Sequence, residues 1–400
     1  AWEVVEQVLE AQGPAIAEEP MRWLGIHARE PLGHDPWLAL AGARRLRAEG
    51  RFGDAAKAYA ALAADARNEG AAAAARRERS ELLAWLHPEP GRGPVADASA
   101  LTSLRQTLSG GAAVPMPGPA SSLEEGLVAA LLAIVAGDLR RADELVRSIE
   151  ADTDAEGAIA CVASMARGVI TLLRGDTDGI VDINGAVGSA EGQGFDWLAR
   201  MGRALLAVSG RIDHLHEAAR LEDGARALGD RWGAVLCRIS RAWGAYVATT
   251  RLVQLDARLD PAVLAAEARV ELAALEASVP EAWMAALEAL IAATGDRPGA
   301  DRICREAEAR ARATGAPVPM VLARTASAIE RGDRGAALAL VADAQESYGW
   351  RVPLVQRAVP AARPRIPDAA ELATLAAPGP PAELQLFGAF RLEVGGEAVD

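Results

Sequence analysis

The chain has 400 residues, 51% of them hydrophobic but only 4% aromatic, and a formal charge of −13. That length excludes one compact core and leaves several domains or an elongated array, and the acidity excludes non-specific attachment to nucleic acid or an anionic membrane. Three scattered cysteines, Cys161, Cys237 and Cys304, exclude a disulfide framework and a cysteine-based zinc site and fit a reducing, cytoplasmic setting. Residues 1–35 read as N-terminal capping helices, with Trp2–Ala11 the clearest of them.

From residue 36 to 350 two series of glycines alternate. Gly50, Gly137, Gly175, Gly210, Gly295 and Gly332 sit in short polar turns, and Gly70, Gly157, Gly194, Gly229, Gly315 and Gly349 each follow 17–20 residues later. The spacing describes a helix, a tight turn, a second helix and a looser turn, in units of about 35–38 residues, close to the ~34 of tetratricopeptide repeats. Glycine supplies the left-handed residue that ends a helix, and Asp or Thr after it caps the next. Two units lack the turn glycine and should turn within His87–Asp97 and around Leu252–Asp260. The second helices carry one apolar face: Phe52, Ala55, Ala56, Tyr59 and Leu62 after Gly50; Leu139, Ala142, Leu145, Val146 and Ile149 after Gly137; Ala336, Ala337, Leu340, Val341 and Ala344 after Gly332. The fold expected is all-α, a tetratricopeptide-like α–α superhelix; HEAT-type helix pairs, with a longer period, are the competitor.

The Pro/Gly/Ser stretch Gly110–Ser122 is a loop where the array could break. Residues 351–382 read as a Pro/Ala-rich linker holding one short helix, Asp368–Ala376. The period then changes: Leu384–Phe387 and Phe390–Val394 alternate as strands do, and Gly395-Gly396 signals a β-hairpin. The chain opens on Ala1 and stops in mid-pattern at Asp400, the expectation for a piece of a longer protein.

No catalytic constellation is legible, and the chain is not expected to be an enzyme or to hold a cofactor. Lys57 is the single lysine and follows Ala56, so no phosphate-binding P-loop exists. His214 and His216, two apart on a helix, point about 200° apart and do not share a metal ion. Asp176, Asp178 and Asp182 lack the glycine and closing glutamate of a calcium loop. Gly185, Gly188, Gly192 and Gly194 follow no strand, and the three cysteines read as small buried apolar residues. The longest apolar stretch, Leu127–Ala136, is too short to span a bilayer, so no membrane partner is expected.

A recognition surface is expected on the inner wall of the superhelix, on the first helix of each pair. Register places Trp37, Arg44, Arg47, Trp197 and Arg200 there, with Arg238, Arg241 and Trp243 on a later helix; Trp and Arg are the residue types that most often anchor interfaces.

Two strings carry a family resemblance. HDPWLALAGARRLRAEGRFGDAAKAYAALAADARNEG, His34–Gly70, resembles the sensor repeats of maltose-regulon-type activators, and GARALGDRWGAV, Gly224–Val235, is similar to their inter-repeat junction. ELQLFGAFRLEVGGEAVD, Glu383–Asp400, resembles the opening of the winged-helix domain in antibiotic-regulatory activators of actinobacteria. The resemblance implies residues 383–400 are the truncated start of a winged helix, with a bacterial transcriptional activator domain beyond it and a nucleotide-binding switch domain ahead of the repeats. It implies a signal-sensing region of a transcriptional regulator, taking a protein partner or a small-molecule inducer. DNA would be met only through parts of the parent missing from this chain. The alternative is a tetratricopeptide adaptor that binds peptide segments and has no link to DNA.

Overall fold

The computed structural model describes residues 36–64, 68–86, 100–110, 122–152, 157–251, 253, 255–295, 298–350, 382–385, 391–394 and 397–399. The expected caps over 1–35, the turn within His87–Asp97, most of Gly110–Ser122, the linker helix Asp368–Ala376 and the Gly395-Gly396 turn lie outside them. The chain divides into two units, Ala1–Ala362 and Arg363–Asp400.

The described part of the first unit is all-helical. In chain order its helices are α1 (Pro36–Ala48), α2 (Phe52–Ala63), α3 (Glu69–Leu86), α4 (Ala100–Leu108), α5 (Leu123–Ala136), α6 (Leu139–Glu150), α7 (Gly157–Leu173), α8 (Gly179–Gly192), α9 (Asp196–Leu205), α10 (Ile212–Ala227), α11 (Arg231–Thr250), α12 (Pro261–Ala274), α13 (Ser278–Thr294), α14 (Ala300–Thr314), α15 (Pro317–Glu330) and α16 (Arg334–Tyr348). Helix starts follow the capping chemistry. Asp138, Asp230 and Asp333, each just after a turn glycine, accept a hydrogen bond from the backbone N–H of Arg141, Gly233 and Ala336 at 3.0, 2.8 and 2.9 Å. Nine series glycines besides Gly50 hold the left-handed conformation: Gly137, Gly157, Gly175, Gly194, Gly210, Gly229, Gly315, Gly332 and Gly349.

Two glycines behave otherwise. Gly70 lies inside α3, where Asn68 does the capping by accepting from the Ala71 N–H at 3.1 Å. Gly295 ends α13 at φ −93°, and the left-handed residue before α14 is Gly299. In both places the special residue serves the start of the next helix, Asn68 that of α3 and Gly299 that of α14.

Each helix packs on its neighbours in sequence. Odd-numbered helices also touch one another, α1 with α3, and α5 through α15 in an unbroken series, so the first helices of the pairs from α5 to α15 form one layer. The expected faces are buried: Phe52, Ala55, Tyr59 and Leu62 on α2; Leu139, Ala142, Val146 and Ile149 on α6; Ala337, Val341 and Ala344 on α16.

A second set of contacts joins residues far apart in sequence. The α1 helix meets α9, α4 and α5 meet α13, α5 also meets α15, and α6 meets α16. Side chains of one half cap the helix ends of the other. Arg200 donates to the Glu49 carbonyl at 3.1 Å, Trp232 to Trp85 at 3.3 Å, Trp283 to Val135 at 2.7 Å and Trp350 to Gly137 at 2.7 Å. In the opposite direction Arg105 donates to the carbonyls of Leu275 and Glu276. The last carbonyls of a helix have no partner within it, and these donors supply one while burying large apolar surfaces. Gly137 shows how close the approach is. It sits at φ +90°, and a Cβ there would lie 2.4 Å from the Val318 side chain. One core cluster accordingly runs from Leu104 of α4 to Trp350.

In the second unit three short strands, β1 (Ala382–Gln385), β2 (Arg391–Val394) and β3 (Glu397–Val399), pair antiparallel in the order β1-β2-β3. Leu384 stands opposite Leu392, and Leu392 opposite Val399.

Candidate interaction site

Seven of the eight residues expected on one inner wall fall into three internal clusters, and the eighth, Trp243, lies apart from them in the core. On α1, Trp37 is buried and Arg44 is fully enclosed. Arg44 grips Glu78 of α3 through Nε at 3.1 and 3.2 Å and Nη2 at 2.6 Å, and Tyr59 donates to the same carboxylate at 3.0 Å. Arg47 lies half-buried beside this pair. Burial raises the Glu81 carboxyl above the ordinary carboxylate range while Arg47 pulls the other way. These side chains hold the first pairs together and present no groove.

The second cluster is the joint between α9 and the α1–α2 turn. Trp197 Nε1 donates to Asp230 Oδ2 at 2.7 Å, and its ring meets Phe52 edge-on at 5.8 Å between centroids. Arg200 spans Asp230, at 3.6 Å, and the Glu49 carbonyl. Asp230 is wholly buried; burial raises its carboxyl, and the hydrogen bonds from Gly233, Trp197 and Arg200 oppose that rise. Trp243 is likewise core, edge-on to Tyr246 and to Trp283. Full or near-full enclosure takes Trp37, Arg44 and Trp243 out of any groove; the physical reason is that neighbouring helices close over them, α2 and α3 over Trp37 and Arg44 and α13 over Trp243.

The third cluster brings Arg238 and Arg241 together on a residue the sequence reasoning did not single out. Glu222 of α10 has a side chain 1% exposed, and Arg226, Arg238 and Arg241 all reach it at 2.5 Å. Arg226 and Arg238 also reach Glu271 of α12 at 3.1 and 2.9 Å. A buried carboxylate ringed by three guanidiniums is tolerable because each charge is paired. The only sequence signal was the Glu222–Arg226 spacing of one helical turn, which is common on exposed helices. Beside this network lies an open cleft of about 180 Å³, lined by Arg226, Gly229, Arg231, Ala234, Glu271 and Leu275.

Other sequence features resolve into helix ends and faces. His214 Nδ1 lies 3.0 Å from Ser209 Oγ and 3.2 Å from the Leu206 carbonyl, and His216 is exposed. Asp176 accepts from the Asp178 N–H at 3.0 Å, and Asp182 pairs with Arg167 at 3.1 Å. Gly185, Gly188 and Gly192 lie on α8 with open space where a Cβ would stand. No helix among the described residues is long and apolar enough to cross a membrane.

Cys161, Cys237 and Cys304 are all buried and unpaired with one another. Burial pushes the Cys237 thiol up to about 12 and the Cys304 thiol up to about 11. Since the thiolate is the reactive form, a thiol reagent at pH 8 should modify Cys237 and Cys304 of the native chain at least about a hundredfold more slowly than in the urea-unfolded chain. Mass spectrometry of timed samples reads this; rapid native labelling of Cys237 would show that α11 does not stay packed.

No family model matches this chain, and no curated protein matches it.

Proposed function

We propose that this chain is the signal-receiving helical-repeat region of a transcriptional regulator, a tetratricopeptide-like superhelix that works by binding. The observation that carries the binding role is the series of helix pairs whose first helices form one layer, joined by left-handed glycines at a period near that of tetratricopeptide repeats. Such arrays present side chains on rigid elements and serve as interaction scaffolds. The regulator half of the proposal rests on the resemblance of Glu383–Asp400 to the opening of a winged helix, and the alternation there is compatible with it. In that reading a β-hairpin opens a DNA-binding domain, whose base-reading helix belongs to segments outside these 400 residues.

The test is a titration of the 400-residue chain and of the protein encoded by the whole gene on that gene's own promoter. The longer protein should bind specifically, with affinity falling as salt rises. The 400-residue chain should not bind, since its charge of −13 opposes the approach of DNA. Salt-resistant, specific binding by the 400-residue chain would overturn the assignment of DNA contacts, and failure of the longer protein would favour the adaptor reading.

A further inference from the structure

We propose that the cleft between α10, α11 and α12 is a binding site for a small monocarboxylate with a short apolar tail. Its lining carries two guanidiniums, Arg226 and Arg231, against one carboxylate, Glu271. Glu271 already receives Arg226 and Arg238, so its charge is largely answered. Arg231 is exposed, and none of the described residues pairs with its guanidinium. Arg226 uses Nη2 for Glu222 and Glu271, while Nη1 has only Asp223, 3.9 Å away. The cleft therefore has unspent donor capacity on the cationic side, from groups that bind carboxylates with charge-assisted hydrogen bonds. It also lies at the start of α11, where the helix dipole favours an anion.

The rest of the lining selects the tail. Ala234 and Leu275, both nearly inaccessible, form apolar walls, and nothing lies within 4 Å of the place a Cβ would take on Gly229. An open cleft of about 180 Å³ suits a small carboxylate with a short chain. A bound carboxylate would tie Arg226 of α10 to Arg231 of α11, linking two successive helix pairs. The binding claim is independent of whether the chain serves a regulator or an adaptor.

The experiment is isothermal titration of the full 400-residue chain with butyrate and hexanoate, beside butyramide and butylamine. Ligands this small bind on the order of millimolar. The carboxylates should bind saturably, and the amide and amine should not. Arg231→Ala, a change at an exposed side chain, should weaken butyrate at least about tenfold with the circular dichroism spectrum unchanged. Ala234→Leu, which fills the cleft and keeps every charge, should also abolish binding, and Arg334→Ala on α16 should leave it intact. Equal binding of butyramide, undiminished binding by Arg231→Ala, or no saturable binding of either carboxylate overturns the proposal.

Discussion

Arg44→Leu should destabilise the first helix pairs by about 3–5 kcal/mol, the cost of removing one partner from a buried ion pair. The two side chains are 2% and 4% exposed, so Glu78 would keep a buried charge that has lost its closest cation and retains the Tyr59 hydroxyl. Such a loss is a large share of the ~5–15 kcal/mol that holds a folded domain. In an array it should fall locally, loosening α1–α3, which share one apolar cluster from Trp37 to Leu82. Urea unfolding with hydrogen exchange reads both size and place. Arg44→Leu combined with Glu78→Leu should recover a substantial part of the loss, because two apolar groups replace the pair without leaving a lone charge. A single-mutant loss below about 1 kcal/mol would mean that the pair is wetter than its enclosure indicates.

Trp283→Ala should cost about 3 kcal/mol, near the lower end for truncating a large aromatic side chain, because Trp283 is half-buried. Its indole caps Val135, and its ring lies 5.1 Å from Trp350 and 6.0 Å from Trp243. The distinguishing result is spatial. Protection from hydrogen exchange should fall together at the end of α5 and along α13, although Val135 and Trp283 are 148 residues apart. Trp283→Phe keeps most of the ring contact and loses the N–H, so it should cost only about 1 kcal/mol. Loss of protection confined to α13 would show that the two halves are not coupled through this residue.

The candidate site was only partly legible beforehand. Arg238 and Arg241 were visible as two cations on one stretch of helix, and they do converge. Their meeting point, Glu222, was not visible, because its sequence neighbourhood, LEDGAR, reads like any solvated helix end. Burial of a glutamate follows from what is stacked over it, here α11 with its two arginines. Trp37 and Trp197 share a position, the second residue of α1 and of α9. Their spacing was evident, but the direction in which they point was not.

What the amino-acid order determined by itself was local: the alternation of helices and turns, most of the helix ends marked by glycine, and the buried faces of α2, α6 and α16. Those features depend on contacts within about one repeat, where glycine conformation, capping by Asp138, Asp230 and Asp333, and the 3.6-residue period act directly. Only the tertiary structure decided what the tryptophans and arginines do. Small rotations between successive pairs add up along the chain, and here they bring α9, α13, α15 and α16 against α1, α4, α5 and α6. No periodicity within one repeat encodes that sum. It capped helix ends with Arg200, Trp232, Trp283 and Trp350, because those ends meet only where the curvature of the whole array brings them together, whereas the buried pairs Arg44–Glu78 and Arg238–Glu222 formed between helices of the same or adjoining pairs.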